Sequence, residues 1–387
     1  MTHILHVVDL LQVGGAQKLI AYFSQAARRR GVQVSVVSLA DTSGKIAAEE
    51  LAALGVPVTA FPARHLADLG RILALVRYMR SQPFDLVQTH LTYANILGGL
   101  AGRMAGLPVI ATLHSSGNDQ NPTGLSDFSS PRSRAETFAL RHFADRIMAV
   151  GESVAQAQQA RVPNQPIDMI VNAVPLPAPL LSAERQARRA QLAVADGQPL
   201  LISVGRFAPV KELPELIAAF GNVKKRHPEA KLLLIGDGSE RARVEALIAS
   251  LQLNQDVILL GRRSDVSAWL QSSDVFVSAS SLEGLPVSIL EAMAAGLPVV
   301  ATEVGDVPRI VQPEMGSLVP AHQPDQLANA ICTLLDDQQR QRNFGAAAQA
   351  YVAKNFDLAT WFDRIMALYG TVMKPSGKEP RAGQVGL

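Results

Sequence analysis

The sequence predicts an α/β protein made of two doubly wound domains, and three observations carry that prediction. Apolar, β-branched runs alternate with helical patterns along nearly all of the 387 residues. The alternation breaks once, at residues 172–181, which read NAVPLPAPLL and hold three prolines. Beyond the break it begins again with a second set of strands. Near-continuous apolar strands belong to parallel sheets covered on both faces. Strand–helix alternation winds such a sheet outward from its centre in both directions.

In chain order, residues 4–8, 32–38, 56–61, 86–88, 109–113, 146–150 and 169–171 read as the first set of strands. Residues 16–30, 66–81 and 94–105 are helical patterns among them. The proline-rich stretch has no period and reads as a linker. A short basic helix follows at 183–192, and strands resume at 200–204, 231–235, 257–260, 275–278 and 299–302. A last helix, 358–373, carries the mixed apolar stripe Trp361, Ile365, Leu368 and Tyr369. The expected division is a first domain over 1–174, a linker and short helix over 175–198, and a second domain over 199–357. Residues 374–387 are polar with Gly and Pro and are expected to be disordered. Two such domains leave a cleft between the carboxyl ends of their sheets, where open α/β sheets bind ligands.

The composition narrows the function. No apolar run approaches the roughly 20 residues that span a bilayer. The opening MTHILHVVDLL reads as a strand, not a secretory leader. The single cysteine, Cys332, excludes an intrachain disulfide and a cysteine metal cage. A cytoplasmic protein fits these features. The net charge of +2 hides an asymmetry: residues 1–190 hold 18 basic and 13 acidic side chains, and residues 191–387 hold 18 and 21. The basic excess is too scattered, and aromatics too scarce, for a nucleic-acid partner. It suits peripheral contact with an anionic membrane, on its inner face for a cytoplasmic protein. Helix 66–81, with Arg71, Arg77 and Arg80 beside Leu69, Ile72, Leu73, Leu75 and Val76, is the candidate for that contact. The same pattern also describes a helix that covers a sheet and exposes a basic edge.

The residues that carry chemistry lie where strands end. Residues 280–299, SSLEGLPVSILEAMAAGLPV, place Glu283 and Glu291 with seven residues between them and a Gly-Leu-Pro turn after the first. Pro286 suits a first helical position, and the unbonded N–H groups of that turn make an anion site. A phosphate-seeking helix end with two hydroxyl-seeking carboxylates suggests a sugar nucleotide. After strand 200–204, Arg206 and Lys211 put two cations on one strand-to-helix loop. That is poor placement beside a positive helix end unless an anion lies between them. Such a pair holds a diphosphate and offsets its charge as a bond to it breaks. Gly236-Asp237-Gly238 reads equally as a plain turn or a ligand contact. Arg262 and Arg263 read equally as surface charges or as neighbours of a base. Gly14-Gly15 resembles a phosphate turn but lacks the full dinucleotide pattern. His90 and His114 end strands at the expected cleft, where each is a structural or a site residue. Nothing has the spacing of a metal or serine-hydrolase site.

Together these residues resemble the retaining glycosyltransferases of the GT-B fold, family 4, also called glycosyl transferases group 1. The resemblance covers almost the whole chain. Its E-x7-E motif matches Glu283 and Glu291, and its G-R-x4-K element matches Gly205, Arg206 and Lys211. Its GGA turn matches Gly14, Gly15 and Ala16, and its G-D-G turn matches Gly236, Asp237 and Gly238. The resemblance implies that Arg206 and Lys211 clamp the diphosphate, Glu291 accepts from the ribose and Glu283 meets donor-sugar hydroxyls. Gly284 and Leu285 would lie nearby, Gly15 would close on the phosphates, and His114 would stand by the reacting sugar. The backbone near Arg262 would face the base. It implies a nucleotide-sugar co-substrate, UDP-sugar by default with guanosine behind, and no cofactor or catalytic metal. The acceptor would be a glycan or lipid-linked glycan of bacterial surface polysaccharide or glycolipid synthesis. The last helix would return to the first domain.

The pattern departs in three places. Gln17 stands where relatives often have Glu, and Ala173 where glycine is common. Gly305-Asp306-Val307-Pro308-Arg309 replaces a frequent Gly-Gly-x-Pro-Glu, adding a cation and removing a carboxylate beside the expected donor pocket. Two other functions compete: a nucleotide-sugar epimerase or phosphorylase on a similar fold, and a non-catalytic sugar-nucleotide binding protein. An epimerised donor in an acceptor-free assay marks the first. Tight donor binding without turnover marks the second.

Overall fold

The computed structural model describes residues 1–12, 14–62, 68–116 and 130–373. Most of the loop 115–131 and the tail from Lys374 lie outside the described residues. Within them the first sheet comprises β1 (His3–Val8), β2 (Gln33–Ser38), β3 (Val58–Ala60), β4 (Leu86–His90), β5 (Val109–Leu113), β6 (Arg146–Ala149) and β7 (Ile167–Met169). The second comprises β8 (Leu200–Val204), β9 (Lys231–Ile235), β10 (Val257–Gly261), β11 (Val275–Ser278), β12 (Val299–Thr302) and β13 (Gly316–Val319). The strand orders are β3-β2-β1-β4-β5-β6-β7 and β10-β9-β8-β11-β12-β13. The pairings are parallel. Each sheet therefore reverses its winding once, between β1 and β4 in the first and between β8 and β11 in the second.

The strands form because both faces are covered. Ile4, Leu5, Val7 and Val8 of β1 have no exposed surface, nor do Leu232, Leu233 and Leu234 of β9. Full burial of such a side chain contributes about 1.5–3 kcal/mol relative to exposure. One apolar cluster runs through both halves, from Ile4 and Phe23 to Leu285, Val287 and Phe276.

Some elements differ from the sequence reading. The strand expected at 169–171 lies at Ile167–Met169. β13 is an addition, because GSLV is too short and too polar to show a period. Gly316 is required there, since a Cβ would stand 2.1 Å from the Val299 carbonyl oxygen. The helix expected at 94–105 opens as a π turn, Ala94–Gly98, and continues as Gly99–Ala105. Pro286 is not the first helical residue. It caps the helix Val287–Ala294 from extended backbone. The helix Leu69–Ser81 covers the first sheet with Ile72, Leu75, Val76 and Met79 and leaves Leu69, Leu73, Arg71 and Arg77 outward. No helix of the described residues is long and apolar enough to cross a membrane.

The chain crosses between the halves twice. Residues 172–181 carry no regular structure. The helix Leu358–Gly370 returns to the first sheet, where Phe362 and Tyr369 pack on Phe23 at ring-centre distances of 5.0 and 5.8 Å. Tyr369 Oη donates to Gln88 Oε1 of β4. The two crossings touch: Val174 N–H donates to the Phe356 carbonyl at 3.3 Å.

Candidate functional site

Both winding reversals bring their strand ends to one cleft, and the predicted residues are distributed around it. On the second half, the loop after β8 makes a short 3₁₀ turn, Pro209–Lys211, ended by Glu212 at φ 44°. That turn aims Lys211 at Glu283, with Nζ 2.6 Å from Oε1. The pair is mostly buried, with side chains 24% and 10% exposed. A recess opens beside it, lined by Gly205, Arg206, Lys211, Ser278, Ser280 and Ser288 among others. Ser288 lies in the first turn of the helix Val287–Ala294, so cations, hydroxyls and a helix N-terminus share one hollow.

Gly236-Asp237-Gly238 supports this loop. A Cβ on Gly236, at φ 146°, would stand 1.8 Å from the Gly205 carbonyl oxygen, and one on Gly238 would stand 2.3 Å from that of Phe207. The Asp237 carbonyl accepts from Phe207 N–H at 3.1 Å. Close backbone approach, not a plain turn, accounts for both glycines. Arg262 follows β10, the edge strand, and is exposed, while Arg263 is paired with Asp265. Neither arginine lines the recess.

The first half meets this surface closely. A Cβ on Gly15, first residue of the helix Gly15–Arg29, would lie 3.5 Å from Val287 Cγ2. Tyr22, on the same helix, donates its hydroxyl to Glu291 Oε1. Burial raises the Glu291 carboxyl above its usual range, against the pull of Lys18 and of the Tyr22 hydrogen bond. Gly284 faces the His114 carbonyl oxygen, 3.0 Å from where a Cβ would stand. Asn172 Nδ2 donates to the Leu285 carbonyl at 3.0 Å.

His90 and His114 come together with a third ring. His6 Nδ1 lies 2.9 Å from His90 Nε2, and His90 Nδ1 lies 3.0 Å from His114 Nε2. The nitrogens point at one another and do not converge on a metal position. The chain runs from beneath β1 to the cleft loop after β5. Burial drives every ring toward the neutral form: His6 to about 3, His114 to about 4, and His90 well below its ordinary value. His6 Nε2 is buried with no hydrogen-bond partner. In each of the two contacts one ring nitrogen donates and the other accepts, so neutral rings join into one series.

Stability should follow these protons. The unfolded rings take protons below pH about 6.5 while the folded rings stay neutral, so stability is present above that pH and is lost as pH falls toward 4. The other residues of the surrounding cavity bear no charge. In His6→Phe the slope of unfolding free energy against pH should shrink by about one proton, about 1.4 kcal/mol per pH unit. Asp9, which burial raises to about 6, titrates in both proteins and cancels in the difference. Urea titrations between pH 6 and 4 read this, and equal slopes would refute the neutral series.

Sequence reasoning missed Tyr22, His6, Asp306 and the serines of the recess. Asp306 showed only as a departure from a pattern, Ser280 and Ser288 lay unremarked within the stretch 280–299, and Tyr22, His6 and Ser278 sit in no motif.

Two facing Rossmann-like halves, with both winding reversals opening on one cleft, define the GT-B class of glycosyltransferases. Residues 184–351 match the family described as glycosyl transferases group 1, and residues 13–176 match glycosyltransferase family 4. The N-acetyl-alpha-D-glucosaminyl L-malate synthase of Bacillus anthracis is 25% identical over 82% of each chain. The phosphatidyl-myo-inositol mannosyltransferase of Mycobacterium leprae is 28% identical over 94% of this chain and 95% of its own. The structure of Anabaena Alr3699/HepE in complex with UDP-glucose is 23% identical, with a TM-score of 0.83, over 96% of this chain and all of that one. The chain belongs to the group 1, family 4 glycosyltransferases.

Proposed function

We propose that the protein transfers a sugar from a nucleoside diphosphate, uridine by preference, to an acceptor hydroxyl with retention at the anomeric carbon. The observation that carries this is the Lys211–Glu283 pair, 2.6 Å apart, whose lysine lines the recess beside a helix N-terminus. The diphosphate would lie between Arg206, Lys211 and that helix end, with Glu283 turned to sugar hydroxyls. The acceptor oxygen attacks the anomeric carbon from the face the diphosphate leaves. The glycosidic C–O bond breaks, and a leaving phosphate oxygen takes the acceptor proton. Lys211 and Arg206 offset the charge that develops on the diphosphate, the part a metal would otherwise play. Closure of the first half over the donor excludes water. Names among the relatives point the same way. One is a UDP-Gal:alpha-D-GlcNAc-diphosphoundecaprenol alpha-1,3-galactosyltransferase of Escherichia coli. A glycan or lipid-linked glycan acceptor follows from that analogy.

Thermal unfolding with UDP, GDP and ADP tests the donor site. One nucleotide at about 100 times its dissociation constant should add about 2.7 kcal/mol. The gain should shrink in Glu291→Ala, which removes the ribose acceptor. No shift with any of the three nucleotides would sink the donor assignment. The configuration of the product, read by NMR, tests retention.

A further inference from the structure

We propose that Asp306 is a clasp across the cleft, a positioning residue that ties closure of the two halves to the loop Glu283-Gly284-Leu285. The inference rests on the donor reading above for what that loop holds, and on geometry alone for the clasp.

Asp306 belongs to the second half and has no exposed surface. Its backbone N–H donates to the Gly284 carbonyl at 3.1 Å. Just before it, Gly305 stands at φ 55°, where a Cβ would be 2.0 Å from the Glu283 carbonyl oxygen. Asp306 is therefore seated on the backbone of the site loop. Its side chain faces the other way. Oδ1 accepts from Ser153 N–H at 2.9 Å, in the first turn of the helix Glu152–Gln159 of the first half. A carboxylate there satisfies an otherwise unbonded N–H and meets the positive end of the helix dipole. Gly151 makes room for it, since a Cβ at that position would lie 2.1 Å from Asp306 Oδ2. Arg309 reinforces the seam, with Nη1 2.6 Å from Glu152 Oε2 and Nε 3.4 Å from Asp306 Oδ1.

The arrangement is suited to opening. Asp306 Oδ2 is buried with no hydrogen-bond partner. Closing the cleft strips water from a carboxylate and returns only the helix end and one arginine. Desolvation of a charge offsets most of such a gain, so the clasp is reversible. Asp306 and Arg309 both come from the stretch that departs from the frequent Gly-Gly-x-Pro-Glu pattern. In this chain the two replacements meet the same helix of the opposite half.

Hydrogen exchange on the full-length protein, read by mass spectrometry without ligand, tests the clasp. Asp306→Ala should speed exchange about tenfold, the loss of one charge-assisted hydrogen bond, in the segment 152–156. The same variant should speed exchange in the segment 283–287, which a cap serving only its own helix would leave alone. Asp306→Asn keeps an acceptor for Ser153 and should exchange more slowly than Asp306→Ala in both segments. Arg309→Glu changes an exposed side chain and should loosen the same two segments, which keeps the test open should Asp306→Ala not fold. Unchanged exchange at 283–287 in both Asp306→Ala and Arg309→Glu would overturn the proposal. UDP, GDP and ADP added to the wild type report separately on the donor reading: no protection by any of them defeats that reading and leaves the clasp result standing.

Discussion

Alanine at Lys211 is expected to lower the rate of transfer by about 10²–10³-fold, the cost of removing one preorganised charge from a developing anion. The ammonium is held by Glu283 at 2.6 Å, which fixes it at the edge of the recess. The alanine variant also strands the Glu283 carboxylate, whose side chain is only 10% exposed. A stability loss of about 1–3 kcal/mol follows from an acceptor left without its charged donor. The two effects separate in Lys211→Met combined with Glu283→Gln. That protein should recover most of the melting temperature and none of the rate. A Lys211→Ala enzyme that keeps a third or more of the wild-type rate would remove Lys211 from the mechanism.

Gly236→Ala is expected to be the most damaging single methyl group in the second half. Its φ of 146° is disfavoured for any residue with a side chain, and the new carbon would stand 1.8 Å from the Gly205 carbonyl oxygen. Backbone stands against backbone there, so no rotamer relieves the overlap. The loss should exceed about 4 kcal/mol, the range reserved for strain and core disruption. Any folded fraction should bind nucleotide poorly, because the displaced loop carries Arg206 and Lys211. Gly221→Ala is the control. It lies in the helix Leu213–Arg226, where an added carbon meets nothing nearer than Leu253 at 4.0 Å. It should be neutral or stabilise by about 0.5–1 kcal/mol. Similar urea midpoints for the two variants would contradict the loop-on-loop account.

Much of this site was legible because its parts are local. Glu283, the turn and the helix that follow it share one stretch of sequence, and so do Gly205, Arg206 and Lys211. The alternation of strands and helices likewise needs only neighbouring residues. What escaped is what distant segments make together. Tyr22 meets Glu291 across 269 residues, and Ser153 meets Asp306 across 153. His6 reads as one more position in a buried strand until His90 is set beside it. β13 escaped for another reason: its four residues are fixed by pairing with β12, not by any pattern of their own.

The contact between Val174 and Phe356 has a mechanical consequence. Both covalent ties between the halves pass through one neighbourhood, like two pins of a single door hinge. Relative movement then reduces to a swing about that place, and displacement grows with distance from it. Asn172, two residues from the pivot, would travel less than the far lip of the cleft, and a substrate would enter from that lip.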